Sequence, residues 1–423
     1  MLKIFVTLMG LTAMAVTVFG QTPADGDQLR AKGWNSMAAG KHSCNGFNGQ
    51  SGVCMVQNEC AKLNGKSVGK CFPYGSCCSV VSESCGGYSD LSTSYFKNPD
   101  KFQEVCVYKI NIKQKICQIR IDFERFSLGQ PTKSTNQSAY ACEHDEFTVF
   151  SNDNTIMNLP VLCGENSGQH VYVPLNPHTS SDLNDRQQIT LRFRLTTRDD
   201  KYNDPTPFWK LKISQLECTP TIMPTKRWKS TDDDAVRQVS SSEEKENSKY
   251  SLAPDGCLQY FTDEDGSFES FNYHKGQGHY LGNLNYAVCF KRNVTTCGIK
   301  FEAVKFQMAY NQNLTRFTER DCDTAKIIAA SQTTEDVRTA ESPSETETAH
   351  LHNDYLLIPD GRYSAEKLFA SKYCDGSLEH IDDVKIKTRG PLYVAFISDD
   401  YSSPDEDVEI GYKINYSIMN TGC

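Results

Sequence analysis

Apolar and polar residues alternate along several segments of this chain. The alternation is clearest at residues 106–112, 189–195 and 408–416, while helical periodicity is nearly absent. A period of two places apolar side chains on one face of a strand and polar side chains on the other, as in an antiparallel sheet with one face on a core. Turn signals such as Asn98-Pro99 separate the segments. The pattern predicts an all-β protein built from two antiparallel sandwiches.

The start of the chain has a different pattern. Residues 4–19 are apolar, follow Lys3 and end at the small residue Gly20. This stretch is shorter than the roughly 20 residues that a membrane-spanning helix needs, so it predicts a signal peptide at residues 1–20, cleaved before Gln21. No later segment is long and apolar enough to span a bilayer. We therefore expect a secreted, extracellular protein with no membrane attachment.

Length, cysteine content and charge narrow the class of protein. A chain of 423 residues predicts two or three domains. All 18 cysteines follow the predicted leader, and their even number predicts disulfides rather than thiols or metal ligands. The net charge of -9 argues against a nucleic-acid partner or an anionic membrane surface, because both require a basic patch. Four sequons predict glycan acceptors at Asn136, Asn293, Asn313 and Asn415.

The cysteines divide into three groups of six, and the last two groups form a repeat. In both of these groups the third and fourth cysteines are 25 positions apart, and the last cysteine closes an alternating segment. We interpret this as an internal duplication. The groups are Cys44, Cys54, Cys60, Cys71, Cys77 and Cys78; Cys85, Cys106, Cys117, Cys142, Cys163 and Cys218; and Cys257, Cys289, Cys297, Cys322, Cys374 and Cys423.

Each duplicated unit resembles the CUB domain, an antiparallel jelly-roll sandwich of about 110 residues found in extracellular proteins. The first unit, residues 85–218, carries Cys85-Gly86-Gly87 and Cys142-Glu143-His144-Asp145. The second unit, residues 257–423, carries Tyr373-Cys374-Asp375-Gly376. The resemblance implies two CUB-like jelly-roll sandwiches that act by binding other proteins.

The same resemblance implies a disulfide pattern. Family members pair two cysteines that correspond to the first and second of each six and two that correspond to the fourth and fifth, and an extra bridge from an inner strand to the closing strand is a feature of arthropod members. Six cysteines allow fifteen connectivities, so the sequence alone leaves the pairing open. The implied pairs are Cys85 with Cys106, Cys142 with Cys163, Cys117 with Cys218, Cys257 with Cys289, Cys322 with Cys374, and Cys297 with Cys423.

The first six cysteines form a separate small module at residues 44–78. Because this segment is too short to form an apolar core, disulfides must supply most of its stability. Its spacing resembles the clip modules that precede arthropod serine proteases, although the gap between Cys60 and Cys71 is short. The alternative is a structural cap with no partner of its own. The resemblance implies the pairs Cys44 with Cys77, Cys54 with Cys71, and Cys60 with Cys78.

Two polar stretches have few apolar residues and cannot bury enough surface to offset chain entropy. The first, residues 219–251, is expected to be a flexible linker between the sandwiches. The second, residues 329–352, is expected to be a mobile loop inside the second unit.

No catalytic constellation is recognisable in the sequence. The chain has no Gly-Asp-Ser-Gly-Gly and no His-Glu-x-x-His, the patterns expected of trypsin-type and zinc proteases. His350 and His352, close to Asp354, are better explained as surface histidines than as zinc ligands. We therefore expect no enzyme activity.

The CUB resemblance also implies one calcium site at an edge of each sandwich, held by a Glu and two Asp residues. The family Glu is absent from both units, because Gly129 and Ala309 occupy its position. Since affinity follows the number of charged ligands, we expect weak calcium binding or none, and no other cofactor. The matching carboxylates are Asp145 and Asp199 (or Asp200) in the first unit, and Asp354 and Asp399 in the second.

These features favour a non-catalytic extracellular adaptor whose two sandwiches bind a protein ligand. One alternative is a non-catalytic regulator of an extracellular serine-protease cascade, suggested by the clip-like module. The other is a cryptic enzyme related to clip or CUB proteases. The sequence does not identify the ligand or the oligomeric state.

Overall fold

The computed structural model describes fourteen segments of the chain. They are residues 42–47, 49–72, 75–135, 138–152, 155–157, 159–175, 187–197, 206–218, 251–309, 354–363, 369–374, 376–379, 383–401 and 409–422. Several predicted features lie outside these segments: the signal peptide, residues 219–250 of the linker, the 329–352 insert, Asn136, Asn313, Asp199, Asp200, His350, His352, Cys322 and Cys423.

The N-terminal module is a small four-stranded sheet with one short helix. Its sheet order is β1-β2-β4-β3, and its few buried side chains include Val53 and Met55. Three disulfides join Cys44 to Cys77, Cys54 to Cys71 and Cys60 to Cys78, the pairs that the clip resemblance implies. The elements are β1 (Ser43–Asn45), β2 (Ser51–Met55), α1 (Gln57–Lys62), β3 (Lys66–Cys71) and β4 (Gly75–Ser79).

The next unit is a sandwich of two sheets, with orders β10-β12-β8-β6 and β11-β9-β13-β7-β5. Its alternating segments bury one face: Tyr108 and Ile110 point into the core, where the rings of Phe193 and Trp209 stack 3.9 Å apart. The strands are β5 (Val81–Ser82), β6 (Gly87–Ser89), β7 (Thr93–Lys97), β8 (Val105–Asn111), β9 (Ile116–Ser127), β10 (Glu146–Phe150), β11 (His170–Pro174), β12 (Gln188–Arg194) and β13 (Phe208–Glu217).

The second sandwich follows a single hydrogen-bonded path, β14-β16-β21-β18-β20-β17-β22-β15, with β19 paired to β18. The three-residue strand β20 pairs with both β18 and β17 and so connects the two layers. The elements are β14 (Cys257–Phe261), β15 (Asp265–Glu269), a 3-10 turn (His274–Gly276), β16 (Asn285–Phe290), β17 (Gly298–Gln307), β18 (Tyr355–Tyr363), β19 (Phe369–Tyr373), β20 (Val384–Ile386), β21 (Leu392–Ile397) and β22 (Gly411–Met419).

The structure confirms the all-β fold class and the disulfide-rich N-terminal region. It departs from a purely antiparallel arrangement at three edge pairs, β5 with β7, β6 with β8, and β14 with β16, which are parallel. In the last pair, the Cys257 to Cys289 disulfide ties the edge strand to its neighbour. No helix in the described part of the chain is long and apolar enough to cross a membrane.

The disulfides of the sandwiches follow the implied pattern as far as the described residues extend. The first sandwich pairs Cys85 with Cys106, Cys117 with Cys218, and Cys142 with Cys163. In the second sandwich, Cys297 and Cys374 are also disulfide-bonded.

The outer face of the five-stranded sheet of the first sandwich is covered by both neighbouring units. At β7 and β13 the N-terminal module packs on it: the Tyr95 hydroxyl accepts from Ser51 N (3.0 Å), and Lys212 Nζ donates to Ser51 Oγ (2.7 Å). At β9 and β11 the second sandwich packs on it: Gln118 exchanges two buried hydrogen bonds with the backbone of Ala253, at 2.7 and 2.8 Å. The three units therefore contact one another directly through one sheet.

Candidate functional site

The Asp145 carboxylate, at an edge of the first sandwich, is buried and holds two backbone segments together. Its side chain accepts a hydrogen bond from Gly129 N (2.7 Å) on one oxygen and from Thr196 N (3.1 Å) on the other. Only 1% of Asp145 is exposed. Because both oxygens already accept from the backbone, the carboxylate ties two loops of this edge together.

The second sandwich has a comparable arrangement around Asp354. The Tyr280 hydroxyl donates to Asp354 Oδ2 (2.6 Å), and Asp399 N donates to Asp354 Oδ1 (2.8 Å). Ala309 N donates in turn to the Tyr280 hydroxyl (2.7 Å). The Tyr280 side chain thus connects the backbone of Ala309 to the aspartate. Asp399 lies beside Asp354, and one of its oxygens accepts from Tyr401 N.

Burial dominates the electrostatics of this edge. It raises the pKa of Asp354 to about 8, although the hydrogen bonds from Tyr280 and from the Asp399 backbone act in the opposite direction. Burial and the neighbouring carboxylate also raise the pKa of Tyr280 well above its usual value. A proton therefore competes with any cation for Asp354 near neutral pH.

A loop of the first sandwich covers the same edge. Lys133, in the β9–β10 loop, forms an ion pair with Glu409 (3.5 Å), whose side chain is only 3% exposed. Lys133 Nζ also lies 4.4 Å from the centre of the Tyr140 ring, and this ring stacks on His279 of the second sandwich at 4.3 Å. The acidic edge of the second sandwich is thus occupied by a lysine of the same chain.

Backbone hydrogen bonds extend this contact. Ala139 N donates to Asp400 O (3.0 Å), and Gly282 N donates to Tyr140 O (3.0 Å). Asn272, fully buried, donates through Nδ2 to Gln130 Oε1 (3.1 Å) and accepts from Glu165 N (2.8 Å). We call the whole contact the interdomain interface: the described residues 118–122, 130–135, 138–141 and 163–172 of the first sandwich against residues 251–261, 270–272, 279–283, 399–401 and Glu409 of the second.

Sequence reasoning identified the edge aspartates but not this interface. Asp354 and Asp399 lie together as expected, and Asp145 lies at the corresponding edge of the first sandwich, whereas Asp199 is outside the described residues. Lys133 gave no sequence signal, because a lone lysine in a polar loop is ordinarily solvated.

The described residues do not fit a calcium ion at either edge. Gly129 and Ala309 supply no carboxylate, both oxygens of Asp145 and of Asp354 already accept hydrogen bonds, and Lys133 adds a positive charge next to the second edge. Calcium prefers six to eight oxygen ligands with several carboxylates. In the part of the chain that the structure describes, the one cluster of three metal-ligating side chains is Cys44, Cys54 and Cys71, which are all in disulfides.

We therefore expect calcium to leave the stability of this protein unchanged. Thermal unfolding of the full chain at neutral pH, with about 1 mM calcium or with a chelator, should give the same midpoint, since extracellular modules that bind calcium have dissociation constants of roughly 0.1 to 1 mM. An Asp354→Asn variant serves as control and should also be insensitive. A midpoint that rises with calcium in the wild type but not in this variant would contradict the expectation.

Of the predicted glycan acceptors, Asn293 and Asn415 are described. Asn293 is exposed in the turn before β17. Asn415 is exposed within β22, between Ser267 on β15 and Glu302 on β17. Both side chains are accessible in the folded chain, as an N-linked glycan requires.

Comparison with known proteins supports the CUB resemblance for the second sandwich. Residues 254–419 match the family model described as the animal CUB domain. No curated protein matches the chain.

Three solved structures were also compared with the chain. The CUB1-EGF-CUB2 domains of rat MASP-1 are 12% identical, with 78% of this chain and 99% of that chain covered and a TM-score of 0.21. The CUB1-EGF-CUB2 domain of human MASP-1/3 is 11% identical. The match covers 78% of this chain and 100% of that chain, with a TM-score of 0.20. The full extracellular region of zebrafish Gpr126/Adgrg6 is 9% identical. The match covers 78% of this chain and 36% of that chain, with a TM-score of 0.22.

Proposed function

We propose that this protein is a non-catalytic, secreted extracellular adaptor that presents two CUB-like sandwiches to a protein partner as one body. The observation that most supports this proposal is the interdomain interface, in which Lys133 of the first sandwich forms an ion pair with the buried Glu409 of the second. An adaptor with two independently moving sandwiches would gain affinity from flexible bivalency. In this chain, direct packing favours a single fixed binding surface, which avoids the cost of ordering two units on binding.

The partner-binding face that we propose is the outer face of the β10-β12-β8-β6 sheet. Neither neighbouring unit covers this face among the described residues: Tyr88 is 66% exposed and Val105 is 53% exposed. Arg194 adds a partly exposed guanidinium, which pairs with Glu146 at 2.9 Å. Aromatic and arginine side chains are enriched at protein interfaces.

Affinity capture from the extracellular fluid of the producing tissue, with the full mature chain as bait, tests both parts of the proposal. A Tyr88→Ala/Val105→Ser bait should lose the captured protein, whereas a Val304→Ser bait, altered at a similarly exposed valine of the second sandwich, should retain it. Equal capture by both variants would reject the face. Hydrolysis of peptide substrates by the purified chain would reject the non-catalytic role.

The N-terminal module supports a second candidate, a non-catalytic regulator of an extracellular serine-protease cascade. Its three disulfides follow the clip-like pairing, and two aromatic side chains project from opposite hairpin turns, Phe47 at 88% and Phe72 at 94% exposure. Aromatic side chains, phenylalanine among them, are enriched at protein interfaces. If the candidate is correct, adding the chain to the fluid will change the rate of protease activation, and a Phe47→Ser/Phe72→Ser variant will not.

A further inference from the structure

A buried histidine lies in the interdomain interface. His170 is in β11, the edge strand of the first sandwich, and is 5% exposed. It packs against β14 of the second sandwich, with its ring 5.0 Å from the ring of Phe261. On its own strand, the ring of Tyr172 lies 5.7 Å away. Contact with the second sandwich therefore helps to keep this imidazole out of water.

The hydrogen bonds of His170 suit a neutral ring. Nε2 lies 3.2 Å from the backbone N–H of Tyr260, which donates to it, and 3.1 Å from the carbonyl oxygen of the same residue. A ring nitrogen accepts from an N–H only while it carries no hydrogen. Protonation of Nε2 would turn this nitrogen into a donor toward the carbonyl and remove the acceptor that Tyr260 N uses.

The charged groups around His170 do not favour an imidazolium. Across the strand pair, Asp122 lies opposite His170, but Arg120 already neutralises it at 2.7 Å. Arg120 also donates to the Tyr172 hydroxyl (2.8 Å). Burial lowers the pKa of His170 well below its usual value of about 6.5, and the charge of Arg120 lowers the pKa further, against a smaller opposite effect of the Tyr260 carbonyl.

We infer that His170 makes the contact between the two sandwiches sensitive to protons: the closed interface holds a neutral imidazole, and acidification favours separation of β11 from β14. When the strands separate, the imidazole meets water and its pKa returns to about 6.5. The closed state then binds fewer protons than the open state. Above about pH 6.5 the neutral His170 makes its full contribution to the closed interface. Below this pH the ratio of closed to open interface falls by up to about tenfold per pH unit.

Hydrogen exchange of the full chain, followed by mass spectrometry from about pH 7.5 to about pH 5 and corrected for intrinsic exchange rates, measures this opening. In the wild type, we expect the protection factor of peptides spanning β14 to fall by up to about tenfold per pH unit below about pH 6.5. His170→Gln places a neutral amide oxygen where Nε2 accepts, so its protection should lack the fall below about pH 6.5 that His170 produces in the wild type. His170→Asn is the second neutral variant, in case glutamine disturbs the packing.

The matched control is His274→Asn. His274 is an exposed histidine on the second sandwich with φ of 43°, a conformation that asparagine tolerates, so this variant should keep the wild-type pH dependence. The slope against pH, rather than the absolute protection, decides the outcome, because the Lys133–Glu409 ion pair contributes to every variant. Protection that is constant down to about pH 5 in the wild type, or that falls equally in the neutral His170 variants, would overturn the inference.

Discussion

Gly282→Ala is expected to separate the two sandwiches without unfolding either of them. A Cβ at position 282 would collide with the Cβ of Ala139 and would lie 2.7 Å from the carbonyl oxygen of Asp399. The backbone on both sides must move, and overpacking of this kind costs about 1 to 3 kcal/mol. Hydrogen exchange of peptides from both sides of the interdomain interface should show lost protection there, with the core strands of each sandwich still protected.

Gly390→Ala is the matched control for this variant, because a Cβ at position 390 would meet only Thr388 Oγ1, at 3.8 Å. A second pair separates collision from backbone strain. Gly164 and Gly168 both have positive φ, but a Cβ at Gly164 would collide with the buried Asn272 side chain, whereas a Cβ at Gly168 meets nothing within 4 Å. We expect Gly164→Ala to open the interface and Gly168→Ala only to add strain. Interface protection that survives both Gly282→Ala and Gly164→Ala would contradict a close contact between the sandwiches.

Removal of the Cys117–Cys218 bridge is expected to be the largest single loss of stability in the first sandwich. The bridge joins β9 to the end of β13 and closes a loop with a sequence separation of 101. In the chain-entropy account, a disulfide that closes about 100 residues contributes about 4.7 kcal/mol by restricting the unfolded chain. A Cys117→Ala/Cys218→Ala variant should lose about this much free energy of unfolding. Denaturant titration followed by fluorescence of Trp209, buried in this sandwich, measures the loss.

The control is a Cys142→Ala/Cys163→Ala variant of the same sandwich, whose bridge has a sequence separation of only 21. The same account gives it a contribution of about 3 kcal/mol. Removing the bridge that closes the longer loop, Cys117–Cys218, should therefore reduce the free energy of unfolding more than removing Cys142–Cys163. Equal losses in the two variants, or a larger loss for the shorter loop, would show that local packing at the bridges outweighs the entropy of the unfolded chain.

Much of the fold was predictable because its signals are local. The alternation at residues 106–112 predicts which side chains of β8 enter the core, and the structure buries Cys106, Tyr108 and Ile110 as that alternation requires. The spacing of the cysteines predicted three groups, and each bridge between two described cysteines joins members of the same group. The parallel edge strands were not predictable, because a short strand carries no signal of the direction in which it pairs.

The candidate site was only partly predictable. The resemblance predicted the aspartates, and the structure describes Asp145, Asp354 and Asp399. That Tyr280 connects Ala309 to Asp354 was not visible, because the two residues that the tyrosine hydroxyl contacts are far from it along the chain.

The sequence by itself determined the class of fold and, in the alternating strands, the face that enters a core, because both depend on the order of neighbouring residues. Only the tertiary structure decided what covers the opposite faces. His170 and Arg120 lie on the face of their sheet that points away from the core of the first sandwich, since their neighbours Val171, Ile119 and Ile121 are in that core. The structure places His170 against Tyr260 of the second sandwich, since contacts between units depend on the shape and hydrogen-bonding groups of surfaces that are distant in sequence.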